Sequence, residues 1–395
     1  MPYEIVVGSV LGFACLPFLY YVFALDSAWR FFGRPAVPDD PDFAPPVSVL
    51  KPIRGLDPHA FEHFSSFCRQ DYPQYEILFA VADEDDPAIP IVRRLIKEFP
   101  AQSIRLIVGV PDVGPSSKVS KLCRLVREAR YDLLVISDGD ITVPQGYLRA
   151  VAAPFLDVGV GAVTCLYRGT PGAGIWSDLE AIGISTDFAP GVIVARRIEG
   201  VKFALGATMA TTRTRLAEIG GFEALVEYCA DDFELGHRIA ARGHRVELAR
   251  CTVSTESAPS GFREFFRHQL RWAVTMRHSR RWGYVGRVLV TQGLPWSVAA
   301  GAVTLSAAVA AAYMLAYILL RSALAWAVGV RGLRDRTVRR RWWLVPVYDL
   351  MACLISGAAF CVNRIDWRGR SFELQNGRLV PLSTPPRTAG SLTKS

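Results

Sequence analysis

The sequence predicts an α/β domain with a mostly parallel sheet, held between N- and C-terminal apolar segments long enough to cross a membrane. Three observations predict it. An almost unbroken apolar run covers 5–25, short β-branched runs then alternate with amphipathic stretches, and apolar segments return from residue 288 onward. Hydrophobic residues make up 51% of the 395, and mean hydropathy is +0.22. Those values are high for a chain that must cover a soluble surface with charge, so part of it belongs in lipid.

The run at 5–25 has the length a bilayer core requires. No basic stretch precedes it, and Tyr20, Tyr21 and Phe23 stand where a cleaved leader needs small residues, so it reads as an anchor. Arg30 and Arg34 follow it, and the bias of basic residues places what comes next in the cytoplasm. After a Pro/Asp linker at 35–46, candidate strands fall at 47–50, 75–81, 104–108, 133–136 and 162–166. Helical spacing occupies 58–67, 91–98 and 117–129. That alternation predicts helices on both faces of the sheet and a ligand site beyond the carboxyl ends of its strands.

From 288 to 330 only Pro295 and Arg321 interrupt the apolar pattern strongly, which fits two spans or one span with an interfacial helix. Six arginines and one aspartate at 331–341 should be cytoplasmic, with Trp342 and Trp343 at the membrane interface before a further apolar segment at 342–362. The side reached by the C-terminus stays open. The predicted division is an anchor at 1–29, one catalytic domain at 30–286, a membrane region of two or three apolar segments at 287–363 and a tail at 364–395, disordered after Leu382. The net charge of +8 gathers beside apolar segments and no recognition motif accompanies it, which favours a membrane over nucleic acid as partner. Eight cysteines without a C-x-x-C pair read as buried small residues in a reducing compartment.

Three acidic sites fall where an open α/β sheet presents its ligand: Asp83 after EILFAVA, Asp138 and Asp140 after DLLVIS, and Asp231 and Asp232 at the start of DDFELGHRIA. Read singly, each is ordinary turn or cap chemistry. Asp138 and Asp140, two residues apart, can share a hard divalent cation, Mg2+ or Mn2+, with a diphosphate. Asp232 is the candidate general base for an acceptor hydroxyl, following GATM at 206–209 and the Gly220-Gly221-Phe222 turn, while Asp231 caps the helix. In His268-Gln269-Leu270-Arg271-Trp272, Arg271 can grip a diphosphate and Trp272 can stack on a sugar or acceptor. A basic interfacial helix explains that last segment equally well when it is read alone.

VSVLKPIRGLDP, AVADEDDPAIP, ISDGDITVP, YCADDFELGHRI and HQLRW follow the order of a D, DxD, D, (Q/R)xxRW pattern. Over about 45–285 the chain resembles the ceramide glucosyltransferase family, with weaker likeness in the C-terminal region and Trp367-Arg368-Gly369-Arg370. The resemblance implies a GT-A fold and inverting transfer of glucose from UDP-glucose to a membrane lipid, most simply ceramide. It further implies that Lys51, Asp83, Asp138, Lys118, Arg271 and Trp272 hold the nucleotide sugar, that Asp138 and Asp140 bind the metal, and that Asp232 is the base. The chain departs from the pattern in two places: His268 replaces the Gln or Arg, and Ser120 and Lys121 stand where asparagine-like residues are expected. The hopanoid-associated relatives, which transfer N-acetylglucosamine to a hopanoid lipid, are similar to the same pattern.

A glycosidase would need paired carboxyl groups flanking the bond and no nucleotide loop. The rival outside enzymology is a lipid-binding or scaffold protein, which would have no use for Asp232 or Trp272.

Overall fold

The computed structural model describes residues 2–33, 42–257, 259–367 and 370–382. Arg34, linker residues 35–41, Arg368 and Gly369 of the late motif, and the tail from 383 lie outside the described residues. Eight strands, β1 (Val47–Pro52), β2 (Tyr75–Ala80), β3 (Ser103–Ile107), β4 (Leu133–Ile136), β5 (Ile141–Thr142), β6 (Val160–Pro171), β7 (Met209–Thr212) and β8 (Arg245–Ser257), form one sheet. Their order is β3-β2-β1-β4-β7-β6-β8-β5.

The first four strands are parallel, with Val49 opposite both Ile77 and Val135. β7 runs antiparallel to β4 and β6, β6 and β8 are parallel again, and β5 closes the edge antiparallel to β8. All five expected strands are present. The three that sequence reading passed over, β5, β7 and β8, belong to the mixed half. β5 is two residues long, and β8 alternates buried with half-exposed positions beside polar neighbours, so neither shows the continuous apolar run that marks a parallel strand.

Alternation along the strands divides two cores. Leu50, Leu78, Leu134 and Ile136 face the helix Ser117–Glu128 through Val119, Leu122 and Leu125, while Val49, Ile77, Phe79 and Val135 face the helix Ala60–Cys68 through Phe64 and Phe67. Full burial of each such side chain stabilises the fold by about 1.5–3 kcal/mol. The first core continues into the N-terminal helix Pro2–Gly33, whose Tyr21, Ala24, Ala28 and Phe31 pack against the helix Ala189–Glu199. This helix runs past its expected end because Asp26 pairs with Arg30 one turn on and with Arg197 of the domain.

Among the described residues three helices are long and apolar enough to cross a membrane: Tyr3–Gly33, Ala307–Gly332 and Arg336–Cys361. A shorter helix, Gly293–Thr304, forms a hairpin with Ala307–Ala325 through Leu305 in the left-handed conformation at φ 50°. Beyond the last of them, residues read from sequence as a tail form a second sheet of β9 (Arg364–Trp367), β10 (Arg370–Gln375) and β11 (Arg378–Pro381).

Candidate active site

The carboxyl ends of β1, β2 and β4 open onto one crevice, and three aspartates, Asp138, Asp231 and Asp232, gather around one lysine there. Lys118 lies in the first turn of Ser117–Glu128, which Ser116 caps by accepting from Val119 N at 3.3 Å. Its ammonium is 2.9 Å from Asp138 Oδ1 and 3.0 Å from Asp231 Oδ2. Burial alone would lower the lysine's pKa, but Asp138, Asp231 and Asp232 outweigh it and hold the group firmly charged. One cation facing so many carboxylates leaves excess negative charge. Burial, reinforced by Asp138, pushes the Asp140 carboxyl above its usual range, and burial pushes up Asp231 despite Lys118.

Asp232 sits one residue inside its helix, Asp231–Ala241, with Oδ1 accepting from Phe233 N at 2.8 Å. Burial and then the charge of Asp231 push its carboxyl up to about 6. Gly206 fixes where this carboxylate points. A Cβ at that position would stand 3.2 Å from Asp138 Oδ2 and 3.3 Å from Asp232 Oδ2, so the two carboxylates approach one α-carbon from β4 and from the helix. Gly236 lets the helix come this close, because a Cβ there would overlap the backbone of Phe203 and Ala204 at 2.3 Å. Asp231 is the first helical residue, and its carboxylate meets Lys118 rather than capping the helix.

The remaining sequence-derived residues take different stations. Asp83 is exposed on the loop after β2, beside the buried Asp86 that accepts from Gly55 N at 3.1 Å and Ala88 N at 2.9 Å and so shapes the loop. Lys51 is fully buried beneath the Asp138 loop, donating to the Asp138 carbonyl and lying 4.1 Å over the Phe67 ring. Burial lowers it to about 7 against the pull of Asp140 and Asp138. It therefore supports the loop from below. Asp140 accepts from the Thr255 hydroxyl at 2.6 Å.

Arg271 and Trp272 lie half-buried on the helix Phe262–Ser279. Arg271 is close enough to the Cys229 thiol, two residues before Asp231, for its charge to act there together with those of Asp231 and Asp232. Trp272 stacks on the His268 ring at 5.3 Å and 28°, and His268 Nδ1 is 3.2 Å from Glu180 Oε2. Glu180 also accepts from Ser257 at 2.9 Å and Gln269 at 3.4 Å, so the imidazole occupies its motif position as one arm of a buried carboxylate network.

Sequence reading missed Glu180, Thr255 and Tyr167. The hydroxyl of Tyr167, on β6, is held above its usual range by burial and by Asp232, Asp138 and Asp140. β6 was recognised only to residue 166, and no local pattern announces that the strand continues into the site. The eight cysteines are free.

Among the described residues no three His, Cys, Asp or Glu side chains converge as a complete metal cage. Two carboxylates, Asp138 and Asp140, in a site with surplus negative charge nevertheless suit a divalent cation that takes its other oxygens from a bound diphosphate and water.

Ceramide glucosyltransferase 1 of Caenorhabditis elegans is 30% identical over 229 residues, covering 58% of this chain and 49% of that protein. Ceramide glucosyltransferase 3 of the same organism is 27% identical over 269 residues, covering 68% and 57%. The chain thus spans about half the length of these curated relatives. The mannosyltransferase PcManGT from Pyrobaculum calidifontis, solved in complex with GDP-Man and Mn2+, superposes with a TM-score of 0.54 at 20% identity, over 89% of this chain and 98% of that one. That superposition identifies the expected GT-A fold. The profile of glycosyl transferase family 21 matches residues 10–380, through the α/β domain, the apolar helices and nearly all of the second sheet, and the chain belongs to that family.

Proposed function

We propose that this chain transfers glucose from UDP-glucose to the hydroxyl of a membrane lipid, a ceramide-like one, with inversion at the anomeric carbon. The observation that carries the reading is Asp232, a carboxylate tuned to about 6 and set across Gly206 from Asp138. A base poised near neutrality is ionised at working pH yet still takes up a proton readily. The relatives named ceramide glucosyltransferase support a ceramide-like acceptor and a glucosyl group as what is transferred.

In this mechanism the acceptor hydroxyl loses its proton to Asp232 Oδ2 as its oxygen bonds to the anomeric carbon, and the bond from that carbon to the diphosphate breaks on the opposite face. The nucleoside diphosphate leaves with the electron pair. Asp138 and Asp140 would hold a divalent cation, which would supply charge neutralisation for that leaving group. Lys118 keeps Asp138 and Asp231 in register and adds positive charge near the diphosphate. Lys51 fixes the Asp138 loop, Asp83 faces the nucleotide, Arg271 meets the diphosphate and Trp272, braced by His268, closes over the sugar. The domain lies on the cytosolic side, where the donor is made and where the 331–341 arginines remain.

The test is purified protein incubated with a panel of nucleotide sugars and lipid acceptors, read by mass spectrometry. Glucosylceramide and UDP are expected, and Asp232→Asn should lower turnover by roughly 10²–10⁴-fold with donor affinity retained. Near-normal turnover in that variant would remove Asp232 from the role of base. Transfer of N-acetylglucosamine to a hopanoid with ceramide untouched would replace the donor and acceptor but leave the chemistry.

A further inference from the structure

The helices apolar enough to cross a membrane are fixed in height by their contacts with one another. At the far end of the first helix, the Tyr3 hydroxyl donates to Val303 O at 2.7 Å. Eighteen residues on, the Tyr21 hydroxyl donates to Thr291 O at 2.9 Å. The two donors are about 27 Å apart along a helix rising 1.5 Å per residue and the two acceptors about 18 Å apart along the chain facing it, so the two levels together span most of a bilayer core. Beyond Tyr21, Asp26 meets Arg197 of the α/β domain. Tyr21 therefore marks the domain-side boundary and Tyr3 the opposite one. The hairpin of Gly293–Thr304 and Ala307–Ala325 runs from the first level to the second and back, returning where Gly332 lies against the Phe32 ring.

Arg336–Cys361 shows no such traverse. At its start the Ser185 hydroxyl donates to Asp335 at 2.5 Å, and Arg341 pairs with Asp178, both partners belonging to the domain. At its middle Asp349 pairs with Arg321 at 2.7 Å and borders a small cavity shared with Tyr21 and Thr291, the domain-side level. At its end Arg277, on the same helix as Trp272, donates to Val362 O at 2.9 Å, and β11 then joins the loop before Asp231, with Leu379 N on Glu227 O at 2.7 Å. Start, middle and end all lie near one boundary. From Trp343 onward its outward face is nonetheless apolar: Trp343, Val347, Leu350 and Leu354 are each 41–55% exposed at helical spacing. The opposite face, with Tyr348, Ile355 and Ala359, is buried.

We propose that Arg336–Cys361 lies in the plane of the leaflet nearest the α/β domain, with its Trp343, Val347, Leu350 and Leu354 stripe in the acyl chains and no crossing of the bilayer. Lipid is the occupant of this face because the helix packs against the hairpin, which itself exposes Val298, Leu315, Ile318 and Leu319, and the exposed Arg339 and Arg340 beside Trp342 set head-group chemistry at its edge. The helix is a float under Phe262–Ser279, and it returns the chain to the domain's own side.

The test is accessibility to a membrane-impermeant maleimide in sealed vesicles of both orientations, using full-length protein whose native cysteines are replaced by alanine or serine. Arg339→Cys and Gln375→Cys should label from one side and Leu305→Cys only from the other; all three positions are exposed. Gln375→Cys labelled from the Leu305 side would overturn the proposal. Bimane at Val347→Cys and at Leu354→Cys should be quenched to the same extent by shallow spin-labelled lipids. A steep depth difference between them, or no quenching because a second copy of the chain covers the stripe, would equally overturn it. These readouts need no turnover, so the transfer reading stands or falls separately.

Discussion

Asp232 is placed where its surroundings favour the protonated form and its proposed chemistry needs the charged one. Its carboxyl is raised from 3.8 to about 6, so turnover should climb through a limb near pH 6, and Asp232→Glu should retain a limb at a shifted position. Stability moves oppositely. An acid raised on folding adds stability below its unfolded value of 3.8 and loses that contribution as pH rises through about 6. Asp232→Asn should therefore melt higher than the parent at pH 7.5 and show no gain at pH 4 by calorimetry. Lys118 should behave the other way. Lys118→Met leaves Asp138 and Asp231 facing each other without their shared cation, and a loss of roughly 3–5 kcal/mol is expected in denaturant titration at neutral pH. Gly206→Ala should lower turnover by about tenfold or more with the fold retained, because the methyl would press both carboxylates aside. The carboxylates were legible in the sequence because aspartates at strand ends declare themselves. Glu180 and Tyr167 were not, because they lie within a helix and a strand and reach the site only through the third dimension.

At the scale of elements, the second sheet most changes the picture drawn from sequence. Its strands are four to six residues long and polar at alternate positions, which reads as a tail when apolar runs are sought. Yet Asn376 and Gly377 carry φ of 51° and 81°, the two-residue turn that an Asn-Gly pair between alternating strands signals, so the hairpin was available to a reader weighting turns. This sheet grips the loop that leads into Asp231 and Asp232: Leu379 N bonds Glu227 O, Cys229 N bonds Gly377 O at 3.0 Å, and Arg378 and Arg238 both approach the Tyr228 ring. Removing residues 364–395 should lower turnover by roughly tenfold or more and open the 226–230 loop to limited proteolysis, with donor affinity less affected. Unchanged activity would make the sheet a bystander. The parallel half of the large sheet was legible because each buried strand is a continuous apolar run; the mixed half was not, because its pairings depend on partners far along the chain.

For the whole molecule, the junction of domain and membrane rests on buried charge. Arg321 pairs with Asp349 and donates to Thr186 O at 2.8 Å, tying the hairpin, the in-plane helix and the domain together. Arg321→Leu should cost roughly 3–5 kcal/mol in detergent, whereas the double change with Asp349→Leu should recover most of it, because the cost lies in the unpaired charge. Failure of the double variant to recover would point instead to the Thr186 bond. Sequence reading placed the apolar segments well and left the side of the C-terminus open, since hydropathy measures how long a segment is and not which way it lies. The grip of β11 on Glu227 also orders events in time. The loop entering Asp231 waits for a partner synthesised about 150 residues later, after the hairpin has entered the membrane; at about 5–20 residues per second that is on the order of ten seconds. A nascent chain on the ribosome thus carries the loop before Asp231 without its β11 partner until the last segment of the chain has emerged.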